Sequence, residues 1–563
     1  MYCYNYQELK TAANTESGKA YVEKIKEIYE TEYEKEPIPL LNYSYAKLYY
    51  QTGDRNKYQS LYFARRKRLE ALQILAIYDD KYLEPLEEII SAICDEYTWV
   101  LPAHNLLKEK EIFDPTVIDL YSSETGLYLA ETAYIFGEKL SNDIKYRIKY
   151  SLEQKIVKNY ESRTHVFDGL INNWAAVCAT GVGLTYLYAF PERFPLIEKR
   201  IFGTLKSYLV GIDDDGYCRE GMGYWGYGFG FFCIFMDAYS NLTGKKHEFL
   251  ELDKVKNAAE YYNKTNLGGG EFLPFADGGV RQIKISSDVV YTVKNLFPDK
   301  IKISEKLPVY LTGKALGLRT LLGVAKYQIE DKKAVEVHYY ENSQVFIYKT
   351  NNYSFAAKGG VNPEPHGHCD VGAFQIVKDG KRLICDPGAG EYTYGYFNIQ
   401  DDSYEGRYGE KIFVCSSYAH SVPILGGNPQ PFNLSNAKAV VVERSDQHIK
   451  MDIAATYRNM PEKLEVCYQM EEHGISVKYN YKGNDKVIIF RFVSDFEPVI
   501  KDGVVYIEGM RIENKNGLLP KISSKGYSPH VAKLGNDPLD YAYLIDYKVE
   551  REGEINVEFA FVL

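Results

Sequence analysis

The hydrophobic pattern of this chain changes its period near residue 330, and this change limits the possible folds more than any other feature. Before that point, apolar residues recur at the spacing of amphipathic helices, as in "LEALQILAIYDDKYLEPLEEIISAICDEY". From about Val335, short β-rich runs such as "KVIIFRFVSDFEPVI" and "GVVYIEGMRIE" are bounded by turn residues. We therefore predict an α+β chain with a helical part over residues 1–330 and an antiparallel, two-sheet β part over residues 331–563.

Local signals refine both parts. In "FDPTVIDLYSSETGLYLAETAYIFGEKL", Asp114 is a candidate helix N-cap, and the proline after it suits a first turn. Several such runs in succession predict an α/α array rather than a compact bundle. In "IVKDGKRLI", Asp379-Gly380 predicts a two-residue hairpin turn. A regular ladder from that turn places Asp386 opposite Ala373.

Composition excludes several functional classes. The formal net charge of −10 argues against general nucleic-acid binding. No apolar run approaches the roughly 18 residues of a membrane span. The N-terminus lacks the basic start and apolar core of a signal peptide, and the nine cysteines have no paired spacing, so we expect a cytoplasmic protein without a membrane partner. The 52 tyrosines suit a carbohydrate surface, although biased codon usage explains them equally well.

The stretch "PHGHCDVG" holds two of only 10 histidines in the chain. His366, His368 and Asp370 occupy alternate positions, so in an extended segment they share one face. The glycines of the stretch would let it curl back instead. His368, Asp386 and His420 would then form a three-ligand zinc site, with ordinary polar residues at the start of a strand as the alternative.

Two further stretches combine small or amide side chains with aromatic rings. "DDDGYCREGMGYWGYGFGFF" places Glu220, Tyr224 and Tyr227 among glycines, which suits either a ligand surface or a glycine-rich helix contact packed by aromatic rings. "INNWAAVC" places two asparagines before an apolar helix, where they would cap it or, with the next tryptophan, hold the carboxylate of an acidic sugar.

The remaining patterns carry less information. The basic run at positions 65–68, in "YFARRKRLEAL", predicts a solvated helix face or a site for a polyanion. A phosphate-binding glycine loop, a G-x-S-x-G elbow and a paired C-x-x-C are missing from the sequence, so we expect no organic cofactor.

Taken in order, these stretches resemble the heparinase II/III-like polysaccharide lyases. The match runs through "DLYSSETGLYLAE", "NNWAAVC", "DGYCREGMGYWGYG", "PHGHCDVGAFQI" with "LICDPGAGEYT", and "RYGEKIFVCSSYAHSVPILGGNPQ", over roughly residues 60 to 430. The resemblance implies an N-terminal (α/α) toroid, an incomplete α/α barrel, followed by a C-terminal antiparallel β-sandwich domain. The boundary expected near residue 330 from the change of period agrees with this architecture.

The resemblance also implies β-elimination at a uronic acid, in which the enzyme removes the C5 proton and expels the oxygen at C4. The substrate would be a glycosaminoglycan of the heparan sulfate, hyaluronan or chondroitin type, or its oligosaccharides, and the product a C4–C5 unsaturated uronate. Because a proton next to an ionised carboxylate is scarcely acidic, groups that bind this carboxylate must stabilise the developing enolate.

Roles follow from the positions that match the family. Asn173 would bind the carboxylate, with Asn172 as helper or helix cap; Trp174 stands where some relatives carry histidine. Tyr224 matches the tyrosine that protonates the leaving oxygen and is also a candidate base. His366 matches a histidine that the β domain contributes to the cleft, as base or carboxylate partner.

The resemblance further implies a structural Zn²⁺ bound by His368, Asp386 and His420. Additional substrate contacts are expected from Tyr227, the second candidate for the catalytic tyrosine, and from Trp174, Glu220 and Arg407. The partner would be an acidic polysaccharide or oligosaccharide, and the oligomeric state stays open, with a homodimer as one option.

Three other functions remain open from the sequence. They are an alginate or oligoalginate lyase, a glycoside hydrolase on an α/α toroid, and a carbohydrate-binding protein without activity. A hydrolase needs two carboxylates that flank the bond, and Asp215 and Glu220 would be that pair. This assignment gives Asn173 and His366 no role, and the presence of both Tyr224 and His366 argues against a degenerate site.

Overall fold

A computed structural model describes residues 5–105, 113–278, 283–314, 316–330, 335–364, 366–392, 396, 410–434, 437–529 and 540–563. In these ranges helices occupy the N-terminal part of the chain, and antiparallel sheets occupy most of the C-terminal part. The chain divides into two compact units. The first comprises Met1–Ile212, Tyr224–Glu260 and Ile285–Asp331, and the second comprises Asp213–Gly223, Tyr261–Lys284 and Lys332–Leu563.

Most of the helices belong to the first unit. In chain order the helices are α1 (Tyr6–Ala13), α2 (Glu16–Glu32), α3 (Tyr43–Thr52), α4 (Asn56–Tyr78), α5 (Leu83–Cys94), α6 (Leu120–Phe136), α7 (Asn142–Leu152), α8 (Lys158–Ser162), α9 (Asn173–Ala189), α10 (Phe194–Val210), α11 (Met222–Tyr224), α12 (Gly230–Thr243), α13 (Asp253–Thr265), α14 (Ser287–Leu296) and α15 (Gly317–Lys326). Within the described ranges, none of these helices combines the length and apolar character that crossing a bilayer requires.

The helices of the first unit pack in a closed order. Each successive pair in the series α4, α5, α7, α6, α9, α12, α14, α15 and α2 is in contact, and α2 contacts α4 again. Nearly every residue of α6 and α9 is buried, because these two helices are covered on most of their surface. This is why neither helix shows the one-sided apolar stripe of a surface helix.

Helix α6 begins at Leu120, and not near Asp114 as the sequence suggested. Asp119 is the N-cap: its carboxylate accepts the Ser122 backbone N–H at 2.8 Å, and the Ser122 hydroxyl accepts the Asp119 N–H at 2.8 Å. Asp114 instead accepts hydrogen bonds from the backbone N–H and the hydroxyl of Thr116 in a local turn. The reciprocal pair satisfies two N–H groups, which explains why the helix starts there.

The basic run on α4 is neither a solvated face nor a site for a polyanion. Arg66 is 1% exposed and donates two hydrogen bonds, of 2.7 and 2.6 Å, to the carboxylate of Glu96. Arg65 adds a third bond to this carboxylate at 3.0 Å, and Arg68 donates to the Glu36 carbonyl at 2.5 Å. The basic run alone predicted a charged surface, because the carboxylate that pairs with it, Glu96, lies 30 residues further along the chain than Arg66.

The strands belong to the second unit. They are β1 (Asn266–Gly268), β2 (Glu271–Phe272), β3 (Glu336–Tyr340), β4 (Val345–Lys349), β5 (Ser354–Lys358), β6 (Phe374–Lys378), β7 (Lys381–Ile384), β8 (Pro423–Leu425), β9 (Val440–Ser445), β10 (His448–Asp452), β11 (Lys463–Glu471), β12 (Gly474–Gly483), β13 (Ile488–Ser494), β14 (Val499–Lys501), β15 (Val504–Ile507), β16 (Met510–Asn514), β17 (Pro520–Tyr527), β18 (Asp540–Val549) and β19 (Gly553–Val562).

Apart from the β1–β2 pair, these strands form three antiparallel sheets among the described residues, where the sequence predicted two. Their orders are β14-β15-β16-β19-β12-β11-β10-β9, β3-β4-β5-β6-β7 and β17-β18-β13-β8. All three share one core, in which Phe374 contacts Phe355, Tyr468 and Phe492, and Phe492 contacts Phe559. The alternation of apolar and polar residues along a strand predicts which face of the strand is buried, but it does not predict the neighbouring strand. The number of sheets therefore could not be predicted from the sequence.

The predicted hairpin is present, with one irregularity. Strand β6 pairs with β7 across a two-residue turn, in which Asp379 and Gly380 have φ angles of 51° and 70°. The register shifts by one residue between Ile376 and Val377, so the ladder is not the regular one that the sequence suggested. This bulge moves the chain that leads to Asp386 by one position.

Candidate functional site

The carboxylate of Asp277 is the centre of a buried polar cluster in the second unit. The Asp277 backbone N–H donates to the carbonyl of His366 at 2.9 Å, which fixes the two segments together. Ala276 and His366 both have positive φ angles, of 65° and 58°. Residues other than glycine adopt this conformation only rarely, so both positions are held in place by their surroundings.

Both oxygens of this carboxylate accept hydrogen bonds from side chains. Oδ2 lies 2.8 Å from Nδ1 of His366 and 3.0 Å from the hydroxyl of Tyr392, while Oδ1 lies 3.0 Å from Nε2 of His368 and also accepts from Tyr396. Burial alone would raise the pKa of Asp277, but the hydrogen bonds from His366 and His368 outweigh it and hold that pKa well below its usual range.

This arrangement orients the imidazole of His366. When Nδ1–H donates to Asp277, Nε2 is the nitrogen that can accept a proton. Nε2 lies 3.6 Å from Oε1 of Glu220. Of the residues that the sequence proposed for substrate contact, Glu220 is therefore brought next to His366.

His368 links this cluster to a second group of buried residues. Ligand atoms of His368, Asp386 and His420 all lie within 4.8 Å of one another, as do those of Asp277, His368 and Cys415. In the first group, Nδ1 of His368, Oδ2 of Asp386 and both ring nitrogens of His420 have no hydrogen-bond partner among the described residues. In the second group, His368 already bonds to Asp277, and Cys415 bonds to Tyr396 at 3.1 Å.

Unbonded buried polar atoms are costly unless something else binds them. Nδ1 of His420 lies 2.9 Å from Oδ2 of Asp386, but the contact lacks the geometry of a hydrogen bond. Two imidazoles and one carboxylate are a common donor set for Zn²⁺. The donor set, the burial and the unsatisfied atoms all fit a metal ion between His368, Asp386 and His420.

The stretch from His366 to Asp370 is irregular and does not form an extended strand. A Cβ atom added at Gly367 would lie 2.6 Å from the carbonyl oxygen of Asn362, and Gly372 has a φ of 89°. The two glycines therefore permit the curl that the sequence suggested. As a result, His366 and His368 bond to different oxygens of the same carboxylate, and His368 also belongs to the His–Asp–His group.

Asp370 has a structural partner. Its Oδ1 lies 2.6 Å from Nζ of Lys358, and both side chains are almost fully buried. We expect Asp370→Asn to lower the free energy of unfolding by about 3 kcal/mol, because it leaves a buried ammonium without its counter-charge. Denaturant unfolding measures this loss. Lys381→Gln, which breaks the exposed Lys381–Glu508 pair, should cost less than about 1 kcal/mol, and equal losses would contradict the account.

In the first unit, the candidate asparagines lie at the start of α9. Asn172 is the N-cap, and its side chain accepts the backbone N–H of Trp174 at 3.2 Å. Asn173 is the first residue of the helix and is 3% exposed. The capping role of Asn172 is thus observed.

The two candidate tyrosines lie at and within a distorted part of the same unit. Tyr224 is half-buried and ends α11; the next five residues, Trp225–Phe229, form a π-helical turn that packs against α9. Such turns occur frequently at functional sites. Tyr227 donates its hydroxyl to Glu124, and Nζ of Lys314 lies 3.6 Å above its ring. Burial and the Glu124 carboxylate raise the pKa of Tyr227 well above its usual value.

Three residues of the cluster, Asp277, Tyr392 and Tyr396, were not predicted from the sequence. Asp277 lies in "FLPFADGG", where an aspartate amid glycines is common in any loop, and it is 89 residues before His366. Tyr392 and Tyr396 follow the Asp386 segment in a tyrosine-rich run, which could have been included with it. Arg407 lies outside the described residues.

A substitution of Asp277 should change both the orientation of His366 and the binding of a metal ion by the His368 group. A metal ion at the His368 group would be bound about 10- to 100-fold more weakly in Asp277→Asn, because the carboxylate that orients His368 is lost. Metal affinity is measured by competition with a chromogenic chelator. Asp485→Asn is the matched control, since Asp485 is a buried carboxylate of the same unit that bonds to Tyr481 and Asn459 and belongs to neither group of candidate ligands. An unchanged affinity in Asp277→Asn would contradict the link between the two groups.

Comparisons with solved structures identify the fold. A heparinase III is similar at 14% identity and a TM-score of 0.61, covering 99% of this chain and 91% of that one. A heparan sulfate lyase from Pedobacter heparinus matches at 13% identity and 0.55, covering 97% and 87%. A chondroitin AC lyase from Streptomyces coelicolor A3 matches at 8% identity and 0.51, covering 99% and 82%.

No protein-family profile matches the sequence, and no curated protein matches it. At identities this low, structural similarity describes the fold alone. The chain therefore has the fold of these polysaccharide lyases, with a helical N-terminal part and a C-terminal part built of sheets.

Proposed function

We propose that this protein is a polysaccharide lyase that cleaves uronate-containing glycosaminoglycans, or their oligosaccharides, by β-elimination. The observation that carries this proposal is the cluster around Asp277, in which an oriented imidazole, His366, is joined through one carboxylate to His368 and its buried His–Asp–His group. The solved structures that share the fold are a heparinase III, a heparan sulfate lyase and a chondroitin AC lyase, which supports a substrate of this class.

The reaction requires three tasks, and the chain offers a residue for each. Asn173 hydrogen-bonds the carboxylate at C5, so that negative charge developing on the enolate is stabilised. Nε2 of His366 takes the C5 proton, with its tautomer fixed by Asp277. Tyr224 donates its hydroxyl proton to the oxygen that leaves C4.

The finer architecture belongs to the same proposal. We infer that the closed series of helix contacts in the first unit is an (α/α) toroid, and that the sheets of the second unit form the β-sandwich part of such enzymes. Residues 1–330 and 331–563 would be the two domains, except that Asp213–Gly223 and Tyr261–Lys284 group with the second unit.

We further propose that His368, Asp386 and His420 hold a structural Zn²⁺. When bound, the ion would supply a fixed positive charge that ties three segments of the second unit together. His368 would bind it through Nδ1, while its Nε2–H donates to Asp277, which is the usual carboxylate–histidine pattern around zinc. The position of His366 then depends on the metal through Asp277.

The proposal is tested on a panel of polymers. Purified protein is incubated with heparan sulfate, hyaluronan, chondroitin sulfate and alginate, and the ultraviolet absorbance of the new C4–C5 double bond is followed. We expect absorbance to rise with at least one glycosaminoglycan. A rise with alginate alone would move the substrate to that class, and no rise with any polymer would contradict a lyase.

A further inference from the structure

His104 lies at the end of a short turn, Pro102–His104, in the first unit. Its Nδ1 is 2.8 Å from Oδ2 of Asp119, the N-cap residue of α6. This carboxylate is fully buried and also accepts the backbone N–H of Ser122 at 2.8 Å and that of Leu101 at 3.4 Å. The aspartate is thus fixed by three donors, and it fixes the imidazole in turn.

The ring of His104 is held between two aromatic side chains. It stacks on Tyr121 with ring centroids 5.4 Å apart and an angle of 12° between the planes. It also meets Trp174, with centroids 4.9 Å apart and an angle of 57°. Trp174 directly follows Asn173 at the start of α9, so the imidazole lies beside the segment that carries this amide.

The second nitrogen of the ring remains available. Among the described residues no group bonds to Nε2 of His104, and the side chain is 12% exposed. When both ring nitrogens carry hydrogen, Nδ1–H donates to Asp119 and Nε2–H is a second donor that a ligand can meet. A histidine whose only role is to hold the turn would need the contact with Asp119, but it would not need a second N–H group that a ligand can reach.

We propose that His104 is a further substrate-binding residue, and that its Nε2–H donates to the carboxylate of a uronic acid next to the Trp174 ring. This inference rests on the proposed lyase function. Asn173 contributes an amide and His104 a second N–H donor, so together they bind the carboxylate with more hydrogen bonds than the amide alone. Trp174 supplies a flat apolar face for the sugar ring, while Asp119 acts as the positioning residue.

The effect should be larger in the transition state than in the ground state, because the carboxylate gains charge as the enolate forms. Removing one such donor costs about 100-fold or more in rate. We therefore expect His104→Ala to lower kcat/KM about 100-fold, mostly through kcat, on whichever polymer gives the largest absorbance. His104→Gln keeps an amide donor and should lose only about 10-fold.

His165→Ala is the matched control. His165 is another half-buried histidine of the first unit, stacked on Tyr160 and Phe167, but its Nε2 bonds to the carbonyl of Asn159. It should retain kcat/KM within about twofold of the wild type. Asp119→Asn keeps the helix cap but removes the charge, so it should lower kcat without a matching rise in KM.

The outcomes separate this inference from the function on which it rests. If the wild-type protein is inactive on every polymer, the proposed function fails, and this inference falls with it. If the wild type is active but His104→Ala stays within about threefold of it, the inference alone is wrong. The same holds if His104→Ala and His104→Gln lose activity equally and in step with their melting temperatures, since that pattern reports a structural role.

Discussion

Tyr224→Phe is expected to lower kcat about 1,000-fold while the protein keeps its fold. The change removes only the hydroxyl, and proton donation by a positioned side chain contributes typically 10²–10⁴-fold. Tyr224 is half-buried beside the π-helical turn, and its ring stays in the variant, so packing changes little. Rates are measured by ultraviolet absorbance on the best polymer, and folding is measured by thermal unfolding.

Tyr239→Phe is the control for the same chemical change. Tyr239 lies on α12, which continues the helical segment of Tyr224, and its hydroxyl donates to Glu198 at 2.8 Å. This variant should turn over at the wild-type rate. Turnover by Tyr224→Phe within a few-fold of the wild type would reject Tyr224 as the proton donor, and Tyr227 would be the next residue to test.

For the proposed zinc site, we expect His368→Ala to abolish metal binding and to lower the melting temperature of the protein by about 10 °C. The substitution deletes one of three ligands and also breaks the hydrogen bond to Asp277. Loss of a metal is among the few single changes that cost about 4 kcal/mol or more, and such a loss in a domain of this size shifts melting by roughly this amount. Metal content is measured by elemental analysis of the purified protein.

The matched control for this prediction is His448→Ala. His448 lies in strand β10, is partly buried and contacts Glu443, but it belongs to neither group of candidate ligands. This variant should retain the metal content of the wild type. Equal metal content in His368→Ala and the wild type would exclude His368 as a ligand.

Chelation gives an independent test of the same site. A strong chelator should lower the melting temperature of the wild type toward that of His368→Ala, and it should leave His368→Ala unchanged. Restoring Zn²⁺ should reverse the shift in the wild type alone. A chelator that affects both proteins equally would act elsewhere in the chain.

The coarse fold was predictable because it follows from periodicity. The change from helical to β-type spacing near residue 330, and the hairpin at Asp379-Gly380, depend on local rules that the structure obeys. The predicted start of α6 was wrong, because Asp119 and Ser122 form a reciprocal pair of cap hydrogen bonds and the helix begins after Asp119 instead of Asp114. The prediction for the basic run on α4 was wrong, because Glu96, the carboxylate that pairs with Arg66, is distant in sequence.

The candidate site was predictable only in part, for the same reason. His366, His368, Asp386 and His420 lie in a short span of sequence whose motifs the family resemblance covers. Asp277 comes from a segment 89 residues earlier, and His104 acquires its setting from Asp119 and Trp174. Contacts between distant segments depend on tertiary packing, which a single sequence does not encode in any local pattern.

In the proposed reaction, bonds are broken by elimination and not by the addition of water. The most direct test is mass spectrometry of the products formed in water labelled with heavy oxygen. Elimination predicts that the product masses add up to that of the substrate, with no heavy oxygen incorporated and one double bond per cleavage. A gain of one labelled water for each bond broken would show hydrolysis and would contradict the account.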